Sequence, residues 1–236
     1  MIKINNLTKK FGKLLAVDNV SFCVEENECF ALLGLNGAGK TTLINMLSTE
    51  LTPTSGTCEL CGFDLIKQKN EIRKIINISP QESACAKNLT VRENLELIAN
   101  LYGTENKKDK IDKIILEFGL KEKENTLCKK LSGGQKRRLS IALAILTSPK
   151  ILFLDEPTLG LDVKARKKLW QIIENLKKQM TIILTTHYLE EVENLADKIG
   201  IISKGKIKAI GNLNEIKKSC GANTLEEAFL NLTEEE

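Results

Sequence analysis

At 236 residues, 42% hydrophobic and 28% charged, the chain has an ordinary globular composition and is long enough to bury one core that carries an insertion. No apolar run approaches the ~18 residues needed to cross a bilayer; the densest, Ile141-Ala142-Leu143-Ala144-Ile145-Leu146, stops at six. The formal charge of +4 is mild, and the basic stretches Lys107-Lys108 and Lys164 to Lys168 have no interleaved aromatic residues, so they read as solvated helix faces and no nucleic-acid partner is expected.

The start, Met1-Ile2-Lys3-Ile4-Asn5-Asn6, has no apolar signal core, so export of the chain is not expected. Seven cysteines, scattered among apolar residues, suit a reducing compartment. Cys58-Glu59-Leu60-Cys61 is a lone pair with no second pair and no nearby histidine, which favours packing over metal binding.

Short β-like runs open the chain at Ile2–Leu7, Val20–Val24, Cys29–Leu33 and Thr57–Leu60. A helix is expected over Leu65–Ile75 and a strand over Ile76–Ser79. From about Val91 to Leu146 the pattern is helical throughout; Leu95, Ile98, Ala99 and Tyr102 recur at helical spacing, as do Ile111, Ile114, Ile115 and Phe118. Strand and helix then alternate again: strands at Ile151–Leu154, Thr181–Leu184, Ile199–Ile202 and Ile207–Ile210, helices at Ala165–Lys178 and His187–Leu195. Such alternation predicts a largely parallel sheet covered by helices, with the helical middle as an insertion. The last residues, Glu234-Glu235-Glu236, read as a solvated acidic tail.

Three local patterns carry chemistry. Gly34-Leu35-Asn36-Gly37-Ala38-Gly39-Lys40-Thr41, followed by Thr42, is a complete phosphate-binding loop between an apolar strand and a helix. Its glycines let successive backbone N–H groups turn toward a phosphate, and the helix N-terminus adds partial positive charge. Lys40 is placed to reach the outer phosphates and the Thr41 hydroxyl to ligate Mg²⁺, so the chain is expected to bind a nucleoside triphosphate.

The second pattern is Ile151-Leu152-Phe153-Leu154-Asp155-Glu156, a strand ending in two carboxylates at the sheet edge where ligands bind. Asp155 fits a Mg²⁺ shell shared with Thr41, and Glu156 fits the general base that polarises the attacking water. The third is Leu131-Ser132-Gly133-Gly134-Gln135, where two glycines and a hydroxyl open a helix. This is a second phosphate-binding helix N-terminus in a chain with one phosphate loop. Two chains facing head to tail would let each Ser132 close on the other's nucleotide.

Together these three stretches resemble the nucleotide-binding subunit of an ATP-binding cassette (ABC) transporter, and the resemblance covers essentially the whole chain. It implies an α/β P-loop NTPase (RecA-like) core with a mainly parallel sheet, an antiparallel β-subdomain and an inserted all-helical subdomain. It places core and β-subdomain at residues 1–84 and 148–236, and the helical subdomain at residues 85–147. Phe11, before Gly12, resembles the aromatic residue that stacks on adenine, where the family more often has tyrosine. Gln81 matches the loop glutamine that senses Mg²⁺ and the attacking water. Asp162, in Thr158-Leu159-Gly160-Leu161-Asp162, matches the loop that signals across the dimer, although Leu159 and Val163 depart from the usual pattern. His187, the only histidine, matches the switch residue that contacts the γ-phosphate.

The resemblance further implies ATP and Mg²⁺ as ligands, a second cassette (identical or different), and a separate transmembrane permease. The chain would then sit peripherally at the cytoplasmic face of the membrane. The stretch Glu82 to Asn88 is expected to line the groove that receives the permease. Thr224–Thr233 resembles a short helix of exporter-type cassettes for drugs, lipids and polysaccharides, and also fits an ordinary amphipathic closing helix. Two rival readings are a soluble cassette ATPase uncoupled from transport and a P-loop kinase. The first calls for long coiled-coil or zinc insertions, or two cassettes in one chain, and the second leaves Ser132–Gln135 without a task.

Overall fold

The computed structural model describes residues 1–82 and 84–233. Ser83 of the expected permease groove and the tail Glu234–Glu236 lie outside the described residues. Among the described residues, ten strands form two sheets. Four of them, β1 (Ile2–Phe11), β2 (Leu14–Val24), β4 (Ser55–Leu60) and β5 (Phe63–Asp64), make an antiparallel sheet in the order β2-β1-β4-β5.

The other six are β3 (Cys29–Leu33), β6 (Ile76–Ser79), β7 (Ile151–Asp155), β8 (Thr181–Thr186), β9 (Lys198–Ser203) and β10 (Lys206–Gly211). Their order is β10-β9-β3-β8-β7-β6, parallel except for β10 at one edge.

β3, β7 and β8 are buried at every residue, as expected for parallel strands covered on both faces. The alternation along β3 divides the core. Cys29, Ala31 and Leu33 join the cluster beneath the helices, whereas Phe30 and Leu32 face the antiparallel sheet together with Ile151, Phe153 and Ile183.

α1 (Lys40–Leu47) follows β3, and α2 (Lys69–Ile75) precedes β6. Between β6 and β7 the regular elements are α3 (Val91–Leu101), α4 (Lys107–Glu117) and α5 (Gly133–Ile145), with short 3-10 turns at Lys121–Lys123 and Cys128–Lys130. α6 (Val163–Leu176) and α7 (Leu189–Leu195) flank β8; α8 (Leu213–Ser219) and α9 (Leu225–Thr233) close the described chain.

The structure corrects several expected boundaries. The helix expected over Leu65–Ile75 begins at Lys69, because the Asp64 carboxylate accepts the amides of Ile66 and Lys67 and holds them in a turn. The helical middle is broken at Gly103, Asn106 and Gly119, all at positive φ, and by the two 3-10 turns. β1 and β2 run longer than their apolar residues suggest, because hairpin pairing extends to Phe11 opposite Leu14. His187 stands two residues before α7 rather than inside it.

The short β5 and α8 had no apolar period long enough to mark them. Scattered cysteines gave no sign of pairing, yet Cys85 and Cys128 form a disulfide. Buried Asn94 brings them together by binding Ala86, Leu89 and Thr90 main-chain atoms, while Cys128 N–H donates to Leu89 O.

Candidate functional site

The parallel sheet delivers the candidate side chains to one edge, at the carboxyl ends of β3, β7 and β8. After β3 the chain turns through residues 34–39 into α1. Gly39 caps that helix at φ +105°, and a side chain there would meet the Ala16 carbonyl at 2.5 Å, so only glycine fits. No side chain caps α1, which leaves its first N–H groups for a ligand.

Lys40 is 6% exposed, and its ammonium donates to Gly34 O at 2.7 Å and Leu35 O at 3.1 Å. It also pairs with Glu156 Oε1 at 3.1 Å. The other Glu156 oxygen lies 2.9 Å from His187 Nδ1, which completes a Lys40–Glu156–His187 chain. Glu156 itself has φ +46°, a left-handed conformation worth about 1–3 kcal/mol of strain in a residue with a side chain. Its amide is held by Thr185, through the carbonyl at 3.1 Å and the hydroxyl at 3.1 Å.

One residue earlier, Asp155 receives a hydrogen bond from the Thr41 hydroxyl at 3.2 Å and a short one from Thr185. Thr41 and Asp155 thus offer paired hard oxygens of the kind a magnesium ion takes.

A cleft of about 670 Å³ opens over these groups. Phe11, half exposed, forms one end beside Leu14, with the Lys9 ammonium 5.0 Å from its ring centre. Leu35, Asn36, Gly37, Gly39, Thr41 and Thr42 line the floor, and Gln81, Glu156 and His187 the far wall. Gly34, Ala38 and Asp155 lie behind the lining. Gly34 supplies the carbonyl that holds Lys40, and Ala38 O accepts from Gly205 N at 2.9 Å.

Ser132, Gly133, Gly134, Gln135 and Asp162 do not line this cleft. Ser132 and Gln135 cap α5 reciprocally: Ser132 N–H donates to Gln135 Oε1 at 2.9 Å and Gln135 N–H to Ser132 Oγ at 3.3 Å. Asp162 caps α6, accepting from Ala165 N–H at 2.8 Å. Gly134 lets α5 and α6 meet, because a Cβ there would fall 2.8 Å from the Ala165 Cβ, whereas nothing lies within 4 Å at Gly133.

Several contributors were not singled out by the sequence. Thr185 looked like a linker before His187, yet its hydroxyl donates to the Asp155 carboxylate and accepts the Glu156 amide. Lys204 and Gly205, from the turn between β9 and β10, line the cleft with no motif to mark them. Arg137, two residues beyond the Ser132–Gln135 capping box and outside every motif, is 4% exposed.

Residues 17–159, more than half the chain, match the family model described as ABC transporter. The chain belongs to the ABC transporter family. It is the ATP-binding, ATP-hydrolysing cassette of that family. It is 38% identical over 227 residues to the daunorubicin/doxorubicin resistance ATP-binding protein DrrA of Streptomyces peucetius, covering 95% of this chain and 69% of that protein.

Larger relatives contain the cassette as a small part. The chain is 37% identical to the human phospholipid-transporting ATPase ABCA3, covering 94% of this chain but 13% of that protein. A solved ATP-binding subunit of an ABC transporter superposes with a TM-score of 0.88 at 29% identity, covering 98% and 99% of the two chains. A dimeric ATP-binding cassette in a post-hydrolysis state with ADP and Pi gives 0.80 at 26% identity, covering 90% and 99%.

Proposed function

We propose that two cassettes, this chain and an identical or different second copy, close head to tail on ATP and drive a separate membrane permease in export. The reading rests chiefly on the Lys40–Glu156–His187 chain, in which the Lys40–Glu156 pair is buried at the end of the phosphate loop. An entering triphosphate competes with Glu156 for the Lys40 ammonium, because phosphate oxygens offer it more negative charge. Releasing Lys40 frees Glu156 Oε1 to accept a proton from water. His187 stays against the other oxygen and faces the γ-phosphate. Phe11 stacks on the adenine.

Thr41 and Asp155 would hold Mg²⁺, with Gln81 turned toward it; their hydroxyl and carboxylate oxygens fit that ion. The ion, when bound, neutralises the phosphate oxygens as charge develops.

The half-site at α5 supports a paired assembly. Ser132 and Gly133 stand clear of their own cleft, with open space at Gly133, so a nucleotide they bind belongs to the second cassette. Asp162 would then lie near the partner's site. Residues 85–147 act as the helical subdomain, with residues 1–84 and 148–236 as the core.

Among the described residues no helix is long and apolar enough to cross a membrane, which fits a peripheral subunit at the cytoplasmic face serving a separate permease. Export is favoured by the likeness to a drug-resistance ATP-binding protein. α9 adds little to that argument, since its buried Leu225, Ala228 and Phe229 also serve as ordinary core.

The test is Glu156→Gln. It should lower turnover by at least about 100-fold while ATP binding and ATP-dependent pairing persist. Hydrolysis at the normal rate would remove Glu156 from the base role.

A further inference from the structure

Arg137 sits one turn inside α5, five residues beyond Ser132, and is almost fully buried. Among the described residues no carboxylate pairs with it directly. Instead its planar fork is spent on main-chain carbonyls from two distant segments. Nε donates to Pro157 O at 2.9 Å and Nη2 to Asp155 O at 2.8 Å. Nη1 donates to Pro80 O and, at 3.4 Å, to Gln81 O.

The reason for this arrangement lies in the sheet. β6 and β7 pair in parallel as far as Ser79 opposite Leu154, and there the ladder ends. Beyond that point one strand leads to Gln81 and the other to Asp155 and Glu156. Asp155 pairs with Thr185 of β8 but with no residue of β6, and the guanidinium fills the fork between the two segments. A second tie, Ser79 Oγ to Ser140 Oγ at 3.0 Å, holds the same helix to β6 just below. Burial lowers the Arg137 pKa to about 10, opposed by the charges of Asp155, Glu191 and Glu156, so the cation persists at neutral pH.

We propose that Arg137 is a positioning residue that sets the spacing between the Gln81 segment and the Asp155–Pro157 segment and makes that spacing follow α5. Because α5 begins at Ser132, its engagement with the partner's nucleotide is transmitted to Gln81 and Glu156 of its own site. The two half-sites of one chain are thereby coupled. The proposal rests on the roles given above to Gln81, Glu156 and Ser132.

The test compares Arg137→Lys and Arg137→Gln with the wild-type chain. Lysine keeps the charge and much of the stem, but one nitrogen cannot bridge both segments. Steady-state ATPase kinetics, binding of a fluorescent N-methylanthraniloyl ATP and thermal unfolding are measured on each. The expected result for Arg137→Lys is a kcat lower by about 10- to 100-fold, with KM and nucleotide Kd within about threefold of wild type. A merely structural residue would instead lower the melting temperature and leave kcat per bound nucleotide unchanged.

The proposal is overturned if kcat per bound nucleotide stays within about twofold of wild type, or if kcat and affinity fall together. It is overturned equally if both variants are unfolded by circular dichroism, since Arg137 is then a folding residue. Glu156→Gln, made on the otherwise native chain, tests the base assignment separately: retained turnover there defeats that assignment whatever Arg137 does.

Discussion

Glu191 on α7 has no solvent exposure, and neither of its carboxyl oxygens forms a well-aligned hydrogen bond. Thr186, Thr158 and Trp170 turn donors toward it and draw its pKa down, but burial dominates and the nearby charge of Glu156 adds to it. The result is a carboxyl moved from the ordinary 4.5 to about 7. The charge of Glu191 in turn helps hold Arg137 protonated, beside those of Asp155 and Glu156.

Between those two values the folded chain holds a proton that the unfolded chain has released. Stability therefore falls as pH rises from about 4.5 toward 7 and levels off above the folded value. At about 1.4 kcal/mol per pH unit between 4.5 and about 7, the loss is at most about 3.5 kcal/mol, or roughly 7–14 °C in melting temperature for a chain of this size.

Glu191→Gln removes the titration and keeps the shape. Scanning calorimetry of both proteins from about pH 5 to pH 8 should show the wild type losing ground to Glu191→Gln as pH rises, with the gap constant beyond the folded pKa. A fixed offset from altered hydrogen bonding does not affect the slope. Parallel melting curves across the range would refute the argument.

Three further outcomes follow from distances in the structure. Lys40→Ala removes a charged partner for the outer phosphates, worth about 1.5–3 kcal/mol, and should weaken ATP by roughly 10- to 150-fold in titration calorimetry; an unchanged Kd would displace Lys40 from the phosphate site. Gly134→Ala drives a methyl against Ala165 and should cost about 1–3 kcal/mol in urea unfolding. Ala165→Gly should restore much of that loss, and additive effects of the two changes would deny the contact. Ser132→Arg in the Glu156→Gln background should abolish the ATP-induced dimer in light scattering while each monomer still binds nucleotide; a persisting dimer would contradict the shared site.

The phosphate loop was legible because its conformation is written locally, in Gly39 at positive φ and in the strand and helix on either side. The carboxylate pair was legible for a similar reason: four buried apolar residues lead directly into Asp155 and Glu156. The capping box at Ser132 is likewise a short-range device, although the sequence alone suggested a ligand role where the structure adds a helix cap. Boundaries failed where a side chain overruled the period, as at Asp64, or where hairpin pairing carried a strand past its apolar residues, as at Phe11.

Position along the chain and apolar spacing determined which segments are strands, which are helices, and which short motifs can meet a phosphate, because those properties depend on neighbours within a few residues. The order β10-β9-β3-β8-β7-β6 belongs to the tertiary structure alone. That order sets Lys40, Glu156 and His187 within one chain of contacts although up to 147 residues separate them (187 − 40). It also buries Arg137 and Glu191, charged residues that no sequence motif marked, the first at the fork between two strands. The cause is the same in each case: burial of a polar group is decided by what packs over it from elsewhere in the chain, and only the folded molecule brings that covering into place.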